Sequence, residues 1–261
     1  MPGGPALQQA GPSKGGCAQN RSGVLQEGVS GCLTFGQGAV TIPERRTDLT
    51  ETRVIRLGPG AMSVPHAKDL AAGLLEGAVA AYPTETFYAL GAAAFSRNGV
   101  DRIFRLKRRD ASKPLSFIVS DLDMVREVAA ALPPTFTALA GEFWPGPLTL
   151  VLPAAPGLPK RLLGPERTIA VRIPPLAWLR ALVGELAEPL TATSANLAGE
   201  RELADPLEVK GVFNDKVEFV IDGGPAPGGL PSTIVDIAGD RPRILREGKI
   251  PAVRIEALLR G

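Results

Sequence analysis

The chain has 261 residues, enough for one large domain or two small ones with a substantial core. A formal net charge of +2 permits an anionic ligand without requiring one, and two Trp and two Tyr offer little base-stacking surface. No window holds about 18 consecutive apolar residues. The beginning, MPGGPALQQAGPSKGG, lacks the basic and apolar regions of a signal peptide, so no membrane contact and a cytoplasmic location are expected.

Residues 1–52 are rich in Gly, Gln, Ser and Pro and lack sustained periodicity. They read as a disordered extension, with a short β-element around VLQEGVSGCLTF. The only cysteines, Cys17 and Cys32, fall there and read as incidental thiols. Residues 53–261 carry the regular signals of a folded domain.

RVIRL predicts a strand, and the apolar spacing of Ala67, Leu70, Ala71, Leu74 and Leu75 predicts a helix over 65–75, closed by Gly77. His66, the single histidine, suits the start of that helix better than catalysis; a His-based triad or metal centre would rest on it alone. AVAAYP is a buried strand, and Val100–Arg108 a helix whose basic residues gather at its C-terminal end, where the helix dipole favours cations. PLSFIVS predicts a strand, LDMVREVAAAL a helix, and PPTFTALAGEF a further helix after its prolines. LTLVLPA and TIAVRIP are strands, LAWLRALVGEL a helix, and PLTATSA, EFVIDGG, STIVDI and RILRE strands, with a last helix in VRIEALLR. DGGPAPGG reads as a flexible loop. Strands and helices interleave irregularly, which indicates an α/β fold, a mixed sheet flanked by helices, and not a repeating βα barrel.

Ligand-capable side chains recur beside these strands. Thr84, Glu85 and Thr86 follow AVAAY; Ser194 and Asn196 follow LTAT; Ser232 and Thr233 open STIVDI. Arg172 and Arg246 stand among apolar residues, where a cation needs an anion or water. LKRRDASKPL adds Lys107, Arg108, Arg109 and Lys113. Cations on separate strands suggest a polyanion such as a nucleoside triphosphate. Neither a GxxxxGK[ST] loop nor a GxGxxG fingerprint is present, so such a nucleotide would be held in another way.

Taken in order, PTETFYALGA (83–92), LKRRDASKPL (106–115), FWPGPLTLVLP (143–153), TIAVRIP (168–174), TSANLAG (193–199), IDGG (221–224), PSTIVD (231–236) and ILREG (244–248) resemble the YrdC family, the threonylcarbamoyl-AMP synthases. The resemblance spans residues 53–250 and implies an open twisted sheet around a concave basic cavity. It implies an enzyme joining L-threonine, bicarbonate and ATP into threonylcarbamoyl-adenylate with release of pyrophosphate, Mg2+ being bound through the phosphates. A downstream transferase would pass the group to tRNA as threonylcarbamoyladenosine.

By the same resemblance, Lys107 and Arg109 are catalytic, and Thr86, Arg172 and Ser232 bind threonine, with Thr84 and Tyr88 shaping that wall. Arg109, Lys113, Thr168, Ser194, Asn196 and Arg246 fall on ATP-binding positions; no protein metal ligand is expected. Glu85 fits a structural role, holding the loop or capping a turn. The chain departs from the family pattern at Ala89, in place of a glycine, at Asp110, in place of a proline, and at Leu230-Pro231. It departs again in GERELADP, which lacks the family's Pro and Ser or Thr, so by the resemblance a hydroxyl contact to ATP is expected to be missing. The ending after ILREGKIP resembles the family's short form. Alternatives are a module contacting tRNA or double-stranded RNA through the same basic surface, and a paralogue using a different carbamate substrate, carbamoyl-adenylate chemistry included.

Overall fold

The computed structural model describes residues 51–58, 64–110 and 113–260. The expected extension up to residue 50, its β-element and both cysteines lie outside the described residues. Residue 52 is already tied to the fold: the buried Thr52 Oγ1 donates to the Val217 carbonyl at 2.7 Å and accepts from the Asp215 N–H at 2.8 Å.

In chain order the elements are β1 (Arg53–Arg56), α1 (Val64–Leu75), β2 (Ala80–Pro83), β3 (Tyr88–Gly91), α2 (Arg97–Lys107) and β4 (Ser116–Ile118). There follow α3 (Leu122–Val128), α4 (Pro134–Phe143), β5 (Leu148–Pro153), β6 (Thr168–Arg172), α5 (Ala177–Leu186) and β7 (Leu190–Ser194). The last five are α6 (Pro206–Phe213), β8 (Phe219–Asp222), β9 (Thr233–Asp236), β10 (Arg243–Arg246) and α7 (Ala252–Arg260). Local chemistry accounts for several boundaries. Ser96 caps α2, and Arg108 ends it in the left-handed region at φ 48°, turning the chain toward Arg109. Asp121 caps α3 by accepting from the Asp123 and Met124 N–H groups at 2.9 and 3.0 Å. The spacing predicts a helix over 122–132, but α3 stops at Val128. Ala129 leaves it to bridge Ala154, and the Ala130 N–H goes to the Pro153 carbonyl at 2.9 Å.

The strands form one ten-stranded sheet in the order β1–β8–β2–β3–β7–β4–β6–β5–β9–β10. β1–β8, β8–β2, β4–β6 and β5–β9 pair parallel, and the other five pairs are antiparallel, so the sheet is mixed as the irregular interleaving implies. Its two faces differ in side-chain size. Thr191, Phe117, Val171, Leu150 and Val235 are successive register partners and all are buried. One residue along, Ala192, Ser116, Ala170, Val151, Asp236 and Arg243 form the neighbouring row and face a cavity. Period-two alternation thus puts bulk in the core, where burying a side chain such as Phe117 stabilises by about 1.5–3 kcal/mol, and leaves Ala192, Ser116, Ala170 and Val151 as a floor of smaller side chains that runs on to the charged Asp236 and Arg243.

Among the described residues no helix is long and apolar enough to cross a membrane.

Candidate active site

The cavity over that floor has a volume of about 560 Å³, within the usual range for small-molecule sites. Its walls come from segments distant in sequence: the β2–β3 loop, Arg109 and Pro114, the 164–168 segment, and residues 231–246.

Residues 84–87 are the loop of a β-hairpin in which Pro83 pairs with Tyr88. Thr84 Oγ1 folds the turn, donating to the Phe87 carbonyl at 2.7 Å and accepting from the Thr86 N–H at 3.2 Å. The Thr86 hydroxyl lies 3.0 Å from that of Thr84 and lines the cavity. Tyr88 donates from its hydroxyl to the Gly224 carbonyl at 2.8 Å; burial pushes the phenol up to about 12. The 223–229 loop is therefore pinned where DGGPAPGG suggests flexibility: Gly228 donates to the Thr86 carbonyl at 2.7 Å and Ala226 to the Ala204 carbonyl at 2.8 Å.

Glu85 leaves the cavity side and forms an ion pair with Arg172 through Oε1, both side chains being close to nine-tenths buried. Its other oxygen, Oε2, is buried without a hydrogen-bond partner, and Lys249 Nζ holds the Glu85 carbonyl at 2.5 Å. Arg172 still lines the cavity, with only Nη1 engaged by Glu85. The structural role expected of Glu85 is thus loop-holding through Arg172.

Opposite, Ser232 and Thr149 approach to 3.0 Å between hydroxyls. Arg246 grips Ser232 by donating from Nε and Nη2 to its carbonyl at 3.1 and 2.9 Å and from Nη2 to its hydroxyl at 3.2 Å. The neighbouring Thr233 is fully buried; its Oγ1 donates to the Ile250 carbonyl and accepts from the Gly248 and Ile250 N–H groups. It knots β9 to the chain after β10.

Arg109 lines the cavity and braces the 113–114 segment, donating to the Lys113 and Pro114 carbonyls at 2.9 Å each and weakly to Thr193 Oγ1 at 3.4 Å. Burial lowers the pKa of both Arg109 and Arg246. Thr168 and Ser194 also line the cavity.

Three expected site residues do not line it. Lys107 is buried, and its Nζ donates to the Ser194 carbonyl, the Asn196 carbonyl at 2.9 Å and Asn196 Oδ1 at 2.7 Å. Its three ammonium hydrogens therefore have three protein acceptors, and the cation holds the Ser194–Asn196 loop. Asn196 completes that network, with Oδ1 accepting from Ser194 Oγ at 2.7 Å and Nδ2 donating to the Glu200 carbonyl at 2.6 Å. Lys113 is exposed and contributes its backbone carbonyl to Arg109.

The sequence profile of the Sua5/YciO/YrdC family, described as telomere recombination, matches residues 73–248. The chain belongs to this family. A threonylcarbamoyl-AMP synthase of Pyrococcus abyssi is 38% identical over 191 residues, 73% of this chain and 56% of that protein. One of Bacillus subtilis is 35% identical over 196 residues, 75% and 57% respectively. The chain thus spans little more than half the length of these curated relatives. The crystal structure of P. abyssi Sua5 complexed with L-threonine superposes with a TM-score of 0.75 at 35% identity, covering 80% of this chain and 61% of that one.

Set against the family pattern, the alanine departure is benign: Ala89 is an ordinary β3 residue that lines the cavity, paired with Tyr82 and Ser194. The lining also holds residues that motif reading misses: Ser116, Thr149, Glu166, Thr193, Glu202 and Asp236. Ser116, Thr149 and Asp236 were findable as polar members of the small-residue face of their strands. Glu166 and Glu202, on irregular segments, carry no such signal. The expected basic lining is consequently mixed in charge. Arg109, Arg172, Arg243 and Arg246 share it with Glu166, Glu202 and Asp236, and Arg243 pairs with Asp236 at 2.8 Å.

Burial lowers Lys107 from 10.5 to about 8, the Arg109 charge pushing the same way and Glu202 opposing. Between those two values the unfolded chain binds more protons than the folded one, so this group's contribution to stability rises with pH across that window. The expected result is that wild-type stability, measured against Lys107→Met by urea unfolding, increases from about pH 8 to about pH 10. A flat difference over that range would remove the depressed pKa.

Proposed function

We propose that the protein makes L-threonylcarbamoyl-adenylate from L-threonine, bicarbonate and ATP, releasing pyrophosphate, as the activating half of tRNA threonylcarbamoyladenosine synthesis. The observation that carries this reading is the pairing of two chemistries in one cavity. On one wall stand the Thr86 hydroxyl and the Arg172 guanidinium; elsewhere stand Arg109 and Arg246, hydrogen-bonded among the described residues only to neutral oxygens. The first set suits a small hydroxy amino acid: Arg172 gives Glu85 one nitrogen and keeps the rest of its fork for a carboxylate, while Thr86 and Ser232 offer hydroxyls. The second pair suits phosphates. The threonine complex of the P. abyssi relative supports the first assignment.

In this reading threonine's amine condenses with bicarbonate to a carbamate, with loss of water. A carbamate oxygen then attacks the α-phosphorus of ATP, the bond to the bridging oxygen of the β-phosphate breaks, and pyrophosphate leaves in line. The protein's task is to hold two mutually repelling anions at bonding distance and to neutralise the charge that develops on the leaving group. Arg172 fixes the amino-acid carboxylate, and Arg109 and Arg246 steady the polyphosphate. Lys107, held by Ser194 and Asn196, sets the loop that carries Ser194 to the nucleotide and adds field without contact. Among the described residues no three His, Cys, Asp or Glu side chains cluster as a metal site, so Mg2+ would enter with the phosphates and share their charge. The product is a mixed anhydride prone to hydrolysis, which calls for a transferase consuming it in the same compartment, in this reading the cytoplasm.

The test is pyrophosphate release by the purified chain with ATP, Mg2+ and bicarbonate. Release is expected only when L-threonine is added. Threonine-independent release, or none from folded protein, would overturn the proposal.

A further inference from the structure

Glu202 is out of place in a cavity read as a polyanion site. It lines the cavity, is half-buried, and among the described residues makes no ion pair or hydrogen bond. Its position is nonetheless firmly set. Within residues 200–204, the Glu200 carbonyl accepts from Asn196 Nδ2 at 2.6 Å, the Leu203 carbonyl from the Tyr88 N–H at 2.9 Å, and the Ala204 carbonyl from the Ala226 N–H at 2.8 Å. The Leu203 side chain is buried beneath. Arg201, the cation next door, points away and pairs with Glu208 at 2.5 Å, so it does not neutralise Glu202.

Glu202 shares the cavity lining with Arg246, and its charge opposes the lowering of both the Lys107 and the Arg246 pKa by burial. Lys107 sits against the end of β7 and Arg246 on β10, with four strands between them in the sheet. The 200–204 strap therefore places a carboxylate in the lining of the same cavity as Arg109, Ser194 and Arg246, the groups assigned to the nucleotide. A carboxylate there repels a bare polyphosphate. It attracts one whose phosphates carry a divalent ion, and a single protein carboxylate plus phosphate oxygens and water is the usual donor set for Mg2+.

We infer that Glu202 is the protein's own oxygen ligand for the divalent cation that accompanies the nucleotide polyphosphate. This rests on the nucleotide reading of the cavity. Glu202 thereby makes the site selective for the metal complex of the nucleotide over the free nucleotide, which a purely basic cavity would not do.

The experiment is calorimetric titration of the full chain with ATP, without threonine or bicarbonate, in Mg2+ and in EDTA at matched ionic strength. The wild type is expected to bind the Mg2+ form about tenfold more tightly than the free form. In Glu202→Gln the free form should tighten by about tenfold and the preference for Mg2+ should vanish, while Glu202→Asp keeps it. An unchanged Mg2+ preference in Glu202→Gln overturns the ligand role and leaves the nucleotide reading standing. Failure of ATP to bind the folded wild type under either condition overturns both.

Discussion

Replacing Arg172 with alanine is expected to remove about 3–5 kcal/mol of stability, the usual effect of stranding one member of a buried ion pair. Glu85 is the member left behind. Its Oε2 already lacks a hydrogen-bond partner, so the remaining carboxylate would have neither charge compensation nor donors from the ring of groups around it. Urea unfolding would show it as a midpoint lowered by about 1 M or more, given slopes of about 1–3 kcal/mol/M. The double variant Glu85→Leu/Arg172→Met replaces the pair with apolar groups of similar length and should recover most of the loss. It should not recover threonine-dependent pyrophosphate release, because the guanidinium fork is absent. A stable Arg172→Ala protein would show that the pair contributes little, and a double variant with normal threonine KM would remove Arg172 from substrate binding.

The second large effect is expected at Gly248. A Cβ there would lie 2.2 Å from the Pro231 carbonyl oxygen and 2.7 Å from the Ser232 carbonyl carbon. These are backbone atoms and cannot swing aside. Gly248→Ala must therefore displace the 231–232 backbone or its own, at a cost of about 1–3 kcal/mol or more. Either shift breaks the contact of Ser232 with Thr149 and the grip of Arg246 on Ser232. With displacements near 1 Å costing on the order of 100-fold in rate, kcat/KM for threonine should fall by about that factor. Gly141→Ala is the control: at an exposed position of α4 its Cβ meets nothing within 4 Å, and it should leave activity intact while stabilising by up to about 1 kcal/mol. Normal kinetics in Gly248→Ala would show that the corner tolerates displacement.

Most elements of the fold are legible in the chain, because alternation and helical spacing are local signals. The exceptions have physical reasons. β3 escapes the sequence because Tyr88–Gly91 follows the 84–87 loop at once and lacks both alternation and the flanking apolar run that marks β2. α6 begins with the sound start signal of Asp205 followed by Pro206, but only Val209 and Phe213 are buried, too small an apolar face to mark a helix. Strand order could not be read at all: β1 pairs with β8 and β5 with β9 through contacts between distant segments, which no local pattern encodes. The site divides the same way. Thr86, Arg172, Ser232 and Arg246 announce themselves as polar residues beside strands, and the cavity brings them together. The inward turn of Lys107 and Asn196 toward each other depends on how the loop after β7 meets the end of α2. Glu202 is recognised only from its place in the cavity lining.

The β2–β3 loop is tied to the segment between β10 and α7 by Lys249 Nζ on the Glu85 carbonyl, 164 residues apart. The Thr233 knot to Gly248 and Ile250 sits in the same late segment. The β2–β3 hairpin is local in sequence, whereas the cavity also needs residues 231–246, which come much later. The cavity lining is complete only once residues 232–250 join the β2–β3 loop, a contact of high sequence separation whose loop closure is costly. A chain that stops before residue 232 accordingly lacks Ser232, Arg243 and Arg246, one side of the cavity lining.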